Sequence, residues 1–488
     1  MAKPLEELRK IRLEKLEKIR KLGIDPYPAR CQREQTVTQA LKMMGRPIAV
    51  AGRIMSMRGH GGIQFFDLQD ETGKIQLVFK SEKIKGKKSQ LLKLLDIGDF
   101  IDAQGKVFQT DAGETSVLVE DFHLLTKSLR PLPSKWHGLK DVEERYRQRY
   151  VDLLLNKEVR KIFEIRSALV KTLRHYLDEA GFVEVETPVL QPIYGGAAAK
   201  PFITHHNVLD IDLYLRIADE LYLKRLIVGG FEKVYELGKD FRNEGIDRAH
   251  NPEFTQLEFY WAFVDYEELM KFTEAMISSV IKKVMGTIKI KFEGEEIDFT
   301  PPWKRISYRE AILKQTKIDI DKENTEEKLL KAIKREKIGL DLKGAVGFGA
   351  VLDSLYKQTT RPHLKGPLFL TDRPTEFVSL AKRKEGNPSK TASFQLLVKG
   401  VELINAYNEL NDPVDQAERW QESEKLGKKG LAEHEAFDED YIRALEYGMP
   451  PTAGWGLGID RLVATLSNAP SLKEVILFPT LRPEKKKS

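Results

Sequence analysis

The chain has 488 residues, too many for one ordinary core, and its 41% hydrophobic and 32% charged content excludes fibrous and low-complexity classes and predicts two or three globular domains. Lys plus Arg number 80 against 74 Asp plus Glu, so the net charge of +6 points only weakly to a polyanionic partner. A single cysteine, Cys31, excludes an internal disulfide and a cysteine zinc site; with no apolar h-region in Met1 to Leu22 and no apolar run near the ~18 residues of a membrane span, a cytoplasmic protein with no membrane contact is expected.

Leu5, Leu8, Leu16, Ile19 and Leu22 recur at helical spacing among Arg9, Lys10, Arg12, Lys15, Lys18, Arg20 and Lys21, which predicts a basic amphipathic helix ended by Gly23. Docking on its own domain with a solvated charged face is favoured over a role in binding phosphates. This helical extension is assigned to residues 1–46. Between Pro47 and Lys127 short alternating runs follow: Ile48 to Met57, Ile63 to Leu68, Lys74 to Phe79, a helical Leu91 to Leu95, then Phe100 to Phe108 and Ser116 to Leu124. Three strands, a helix and two strands are the element order of an OB-fold, which binds single-stranded nucleic acid, although any small five-stranded barrel gives the same order. Phe65, Phe66, Gln76 and Arg58 are its candidate base contacts. Side chains alternate along a strand, so one of the two phenylalanines must face the interior, and Phe65 is expected outside.

Ser128 to Tyr150, with Pro131 and Pro133, is read as a linker (128–150) running into a charged helix. Beyond it strand-like runs alternate with longer helical segments, notably Lys161 to Ala180 and Tyr266 to Met285, which predicts a large α+β domain over 151–488. Within it, Val234 to Phe241 and Phe254 to Ala262 read as antiparallel strands flanking a charged loop that holds Arg242, Glu244, His250 and Asn251. A guanidinium there can pair bidentately with a phosphate or carboxylate, and Phe254 offers a ring face for a base. An ordinary surface hairpin with a salt-bridge lattice would look alike. Further on, Gly454, Gly456 and Gly458 alternate just before Arg461 at a strand-to-helix passage, where small residues let a ligand lie against the backbone and a bulged strand is the alternative.

These two segments resemble the second and third signature motifs of class II aminoacyl-tRNA synthetases, and Gly181-Phe182-Val183-Glu184-Val185-Glu186-Thr187-Pro188 resembles the first. Gly195 to Phe202, Glu220 to Arg225 and Glu402 to Pro413 narrow the resemblance to the lysyl-tRNA synthetases, over essentially the whole chain. It implies an N-terminal OB-fold barrel followed by a catalytic domain built on an antiparallel sheet with helices. The implied reaction joins L-lysine to the 3′ end of tRNA(Lys) through an adenylate, with ATP as substrate, magnesium as the metal, and a homodimer formed through the first motif.

By the same resemblance, Arg242 holds the substrate carboxylate and α-phosphate, Arg461 stacks on adenine and contacts phosphate, Glu244 and Asn251 meet the adenine edge, Phe254 stacks on it, and His250 touches the terminal phosphate. Gly196 and Glu220 face the lysine α-amine; Tyr260 and Glu409 face the ε-amine, with Asn405 and Tyr407 beside them. Two buried ammonium groups need such partners, whereas an aspartate pocket would be cationic. Phe65, Gln76 and Glu114 align with positions that read the anticodon. Two departures stand out. Gln395 occupies the place of a Glu that joins Glu402 in holding magnesium, and Ser379 stands where relatives usually have Pro. A fold that has kept its shape but lost the reaction is countered by the intact Arg242, Glu402 and Arg461, and a protein-lysylating paralogue by the complete barrel.

Overall fold

The computed structural model describes residues 5–133, 139, 141–345, 347–428 and 436–484. The chain divides into two units, Met1–Lys140 and Asp141–Ser488. In the first, α1 (Leu5–Lys21) carries the expected stripe, and Leu16 and Ile19 are buried, Ile19 within the core of the barrel that follows. Arg12 departs from expectation: instead of joining the solvated basic face it is buried, donating to the carbonyls of Ile97, Ser128 and Arg130 at 2.8, 3.0 and 3.2 Å. A guanidinium can be buried when its fork finds that many acceptors. The helix is thereby tied into the barrel unit and is not a separate extension. Lys10, Lys18, Arg20 and Lys21 remain exposed.

Strands β1 (Pro47–His60), β2 (Ile63–Gln69), β3 (Lys74–Lys80), β4 (Phe100–Gln109) and β5 (Thr115–Thr126) close in the order β1-β2-β3-β5-β4. The helix between β3 and β4 spans Gly86–Leu92, earlier than the apolar run suggested, because Leu91 and Leu92 fill the core as its last turn. Period-two alternation sends Phe66, Leu68, Leu77 and Phe79 inward, with the Phe66 and Phe79 rings 4.8 Å apart.

The predicted linker does not run to Tyr150. Asp141 caps a helix, Val142–Arg147, and Tyr146 and Arg149 are buried in the second unit, Arg149 pairing with Asp152 at 2.7 Å and donating to the carbonyls of Lys473 and Leu477. Residues 134–138 and 140 of that stretch lie outside the described residues. In the second unit helix α2 (Lys157–Glu179) leads to strand β6 (Val183–Glu184). Helix α3 (Glu220–Val228) precedes the hairpin β7 (Lys233–Phe241) and β8 (Glu253–Ala262), which runs into α4 (Tyr266–Met285). Strands β9 (Lys304–Ser307), β10 (Leu368–Thr371), β11 (Ser393–Val398), β12 (Val401–Asn408) and β13 (Thr452–Gly458) follow, and α5 (Ile459–Leu466) begins where β13 ends. The sheet order is β9-β10-β11-β12-β13-β8-β7-β6. It is antiparallel except for the outer pairs β9 with β10 and β6 with β7, which are parallel, so the expected antiparallel sheet is mixed at its edges.

One face of the sheet is covered by α2 and α4. Leu169, Leu173 and Leu177 of α2 and Met276, Ile277 and Val280 of α4 join Tyr235, Phe259, Phe394 and Trp455 of the sheet in one core. Trp455 stacks on Phe259 at 4.7 Å, and its indole donates to Thr273 at 2.9 Å. The alternate residues of the same strands therefore face the other way, and that face carries the polar groups. No helix among the described residues is long and apolar enough to cross a membrane.

Candidate active site

The polar face forms the floor of a cavity of about 710 Å³. Strand register sets its rows: Glu258, Gly456, Asn405 and Gln395 lie side by side across β8, β13, β12 and β11, and Tyr260, Gly454 and Tyr407 form the next row. Glu402 joins this face through a bulge. Ile404 pairs with Leu396 but Glu402 with Leu397, so Leu403 is an extra residue that turns the carboxylate to the cavity side. There Gln395 Nε2 donates to Glu402 Oε2 at 2.6 Å. The three alternating glycines are a regular strand and not a bulge, since β13 pairs continuously with β8 and β12. A Cβ at Gly454 would overlap Glu409 and Tyr260, which explains the glycine.

Two acids meet in the cavity. Glu220 opens α3 and Glu409 follows β12, and both are buried. Tyr407 Oη donates to Glu220 Oε1 at 2.7 Å, and Glu409 Oε1 has no hydrogen-bond partner among the described residues. Gly196, at φ +83°, brings its backbone against Glu220; a Cβ there would lie 3.2 Å from that of Glu220. Burial pushes the Glu409 carboxyl well up, against the pull of Lys224. A buried carboxylate with a free oxygen favours a cation.

Two guanidinium groups also line the cavity. The hairpin loop holds Arg242 with its Cζ 5.0 Å from the centre of the Phe254 ring and only a 3.4 Å bond to the Ile217 carbonyl, so most of its donors are unspent. Arg461, in the first turn of α5, donates to the Glu402 carbonyl at 3.1 Å, and burial lowers its guanidinium from its usual value while Glu402 opposes that. His250 is exposed and pairs with Asp247 at 2.9 Å, and Glu244 is exposed. Asn251 ties the loop to its surroundings: its Nδ2 donates to the Glu253 carbonyl at 2.6 Å and its Oδ1 accepts from the Thr480 amide at 3.3 Å. Ser379, at the cavity wall, offers its carbonyl to Arg419 at 3.2 Å.

Several cavity groups were not singled out beforehand. Glu258 sits two residues before Tyr260 on the same strand face, so alternation could have found it. Burial pushes its carboxyl up to about 7, with Glu220 and Asp240 adding to the effect. Asp219, capping α3, is pushed up by burial and by Glu258. Behind them Arg216 pairs with Glu236 at 2.5 Å and Asp240 at 3.2 Å. Arg373 donates to Asn405 at 3.1 Å. Lys224 bonds both Glu220 and Glu409.

In the barrel, Arg58 and Phe65 are cross-strand neighbours on its outer face, and Phe65 is half-buried while Phe66 is interior, as expected. Gln76 is on the same face but buried, its Oε1 accepting from Ser116 at 3.0 Å. Glu114 is exposed in the turn before β5. Asp67, unremarked in the sequence, sits among them. Burial would raise its carboxyl, but bonds from Lys74 at 2.8 Å and Ser56 at 2.5 Å hold it below the usual range.

Residues 141–482 match the family of class II tRNA synthetases that handle D, K and N, and residues 48–125 match the OB-fold nucleic acid binding domain. The chain is 50% identical over 483 residues to a lysine–tRNA ligase of Pelotomaculum thermopropionicum, covering 98% of this chain and 96% of that one. Lysine–tRNA ligases of Moorella thermoacetica, at 47% over 482 residues, and of Clostridium botulinum, at 49% over 487, also cover 98% of this chain, and 98% and 96% of their own lengths.

Proposed function

The chain belongs to the class II tRNA synthetases and within them to the lysine–tRNA ligases, and from that premise we propose how its cavity divides between its substrates. Glu220 and the Gly196 backbone take the α-amine of L-lysine, and Glu409 with Tyr260 takes the ε-amine, flanked by Asn405 and Tyr407. The observation that carries this division is the buried Glu409 with an unpartnered Oε1 beside Tyr260. Arg242 takes the lysine carboxylate and the α-phosphate of ATP, Arg461 and Phe254 sandwich adenine, and Glu244 lies at its edge. His250 reaches the terminal phosphate. Asn251 lies at the same edge of adenine: each end of its amide makes one bond within the fold, which leaves a second N–H and a second lone pair for the base.

With both substrates held, a lysine carboxylate oxygen attacks the α-phosphorus in line, the bond to the bridging oxygen breaks, and pyrophosphate leaves. The guanidinium groups of Arg242 and Arg461 meet the charge that grows at phosphorus, so positioning and electrostatics supply the rate. A terminal ribose hydroxyl of tRNA(Lys) then attacks the lysyl carbonyl and AMP departs. The barrel contributes by holding the anticodon through Phe65, Arg58, Gln76 and Glu114. Labelled lysine retained on tRNA(Lys) in acid-precipitable form tests the whole reading; lysine consumed without charged tRNA would defeat it.

Glu402 and Gln395 fit magnesium as a minimal donor set of one carboxylate and one amide, and no group of three or more acidic, His or Cys side chains that could hold a metal is present among the described residues. Such an ion keeps waters and takes phosphate oxygens from ATP, whose charge it offsets. Gln395→Glu adds a second carboxylate and is expected to lower the magnesium concentration for half-maximal pyrophosphate exchange, whereas Glu402→Gln raises it. An unchanged midpoint in Gln395→Glu removes that side chain from the metal site.

Phe65→Ala is expected to weaken charging of tRNA by about 1–3 kcal/mol, the usual worth of one stacked base, while pyrophosphate exchange, which needs no tRNA, stays at the wild-type rate. Equal damage to both assays would take Phe65 out of anticodon binding. The protein works as a homodimer in the cytoplasm, joined through the segment from Lys161 to Leu190, where Val183, Val189 and Leu190 leave apolar surface exposed. Light scattering at micromolar concentration is expected to give twice the chain mass of 55.9 kDa, and a monomer would rule this out.

A further inference from the structure

A lysine of the chain itself stands between the two acids of the lysine pocket. Lys224, one turn along α3 from Glu220, is fully buried; its Nζ lies 2.5 Å from Glu220 Oε1 and also forms an ion pair with Glu409 Oε2. The same ammonium lies 5.9 Å from the centre of the Tyr260 ring and 5.8 Å from that of Tyr407. It therefore touches both acids, and stands beside both rings, to which the two amines of the substrate are assigned above.

We propose that Lys224 is a positioning residue for the amino acid substrate: its ammonium ties Glu220 to Glu409 and so sets the spacing and the net charge of the two anchors between which an α,ω-diamino acid is held. The inference rests on the lysine-pocket reading and adds to it a part that no substrate contact reveals. Each anchor carboxylate gives one oxygen to Lys224. Glu409 Oε1 has no hydrogen-bond partner among the described residues, so it can accept from an incoming ammonium without displacing Lys224.

Charge explains why the pocket needs an internal cation. Two carboxylates brought together away from water cannot both stay ionised unless a positive charge lies between them. The groups facing Lys224 are Glu220 on its own helix, Glu409 after β12, Tyr260 on β8, Tyr407 on β12 and Tyr441, with Glu258 next to Glu220; only Lys224 among these is cationic. Burial opposes its charge, but Glu220 and Glu409 more than offset this and keep it protonated well above the usual lysine range. Burial likewise drives Glu409 toward its neutral form, and the nearby Lys224 ammonium is the main force against it. Without Lys224, Glu409 would be driven further toward its neutral form and lose the charge that holds an ε-ammonium.

The test is lysine-dependent pyrophosphate exchange by the full-length enzyme, run from acid to alkaline pH, for wild type and Lys224→Met. The acid limb of kcat/KM for lysine is expected to move up by about 1–3 pH units in the variant, the shift a lost neighbouring charge produces. Below that limb KM for lysine rises by about tenfold per unit, while KM for ATP stays as in wild type. An unmoved limb, or equal losses toward ATP and lysine, would overturn the proposal and leave Lys224 as packing. If Lys224→Met does not fold, Lys224→Arg carries the test: it keeps the charge but alters the reach, so the limb should hold while the preference for lysine over ornithine falls. An unchanged preference there would overturn it. Absence of lysine-dependent exchange in wild type would instead defeat the pocket reading itself.

Discussion

Replacing Glu409 by Gln should nearly abolish the use of lysine, lowering kcat/KM for lysine in pyrophosphate exchange by two to three orders of magnitude. The estimate follows from burial: breaking one side of a buried ion pair costs about 3–5 kcal/mol, and each 1.4 kcal/mol is about tenfold. Two cations lose a partner at once, Lys224 and the substrate ε-ammonium, while the amide nitrogen turns a donor toward one of them. KM for ATP should change little, since Glu409 is assigned to the lysine ε-amine and to no part of ATP. Gln is nearly the size of Glu, so a loss of ATP binding alongside would point to collapse of the site and not to the missing charge. A drop of less than tenfold would mean that Glu409 does not hold the substrate.

Arg242→Lys should cost about 100- to 1000-fold in kcat, the usual penalty for removing one preorganised donor from a developing negative charge. The side chain lies over Phe254 with a single long bond to the protein, so its fork is free for ligands. Lysine keeps the charge but loses the planar pair of donors, and for bidentate contacts that exchange is not conservative. Adenylate formation precedes transfer, so exchange and tRNA charging should fall together, unlike the split expected for Phe65→Ala. Normal exchange with impaired charging would move Arg242 out of the first step.

The parts of this site that alternation governs could be read from the sequence. The hairpin around Arg242, the strand with Gly454, Gly456 and Gly458, and the inward turn of Phe66 against Phe65 all follow from period two. What could not be read depends on register and burial. The bulge at Leu403 that turns Glu402 onto the cavity face has no local signature, because Glu402, Leu403 and Ile404 include no glycine or turn residue to mark it. Arg12 looks like any solvated helix cation until three carbonyls from distant segments surround it. Tyr146 and Arg149 sit in a charged run that resembles a linker, yet are buried against residues more than 300 positions away. Lys224 was within reach, since an acid and a lysine four apart share a helix face, but only the fold brings Glu409 to the same ammonium.

Pyrophosphate exchange measured with each amino acid in turn decides whether the pocket is built for lysine, because the matched family includes enzymes for aspartate and asparagine as well as lysine. A pocket whose anchors are Glu220 and Glu409 should support exchange with lysine, weakly with ornithine, and not with aspartate or asparagine, whose side chains offer no cation to the free oxygen of Glu409. Exchange with aspartate or asparagine at a rate matching lysine would contradict the account.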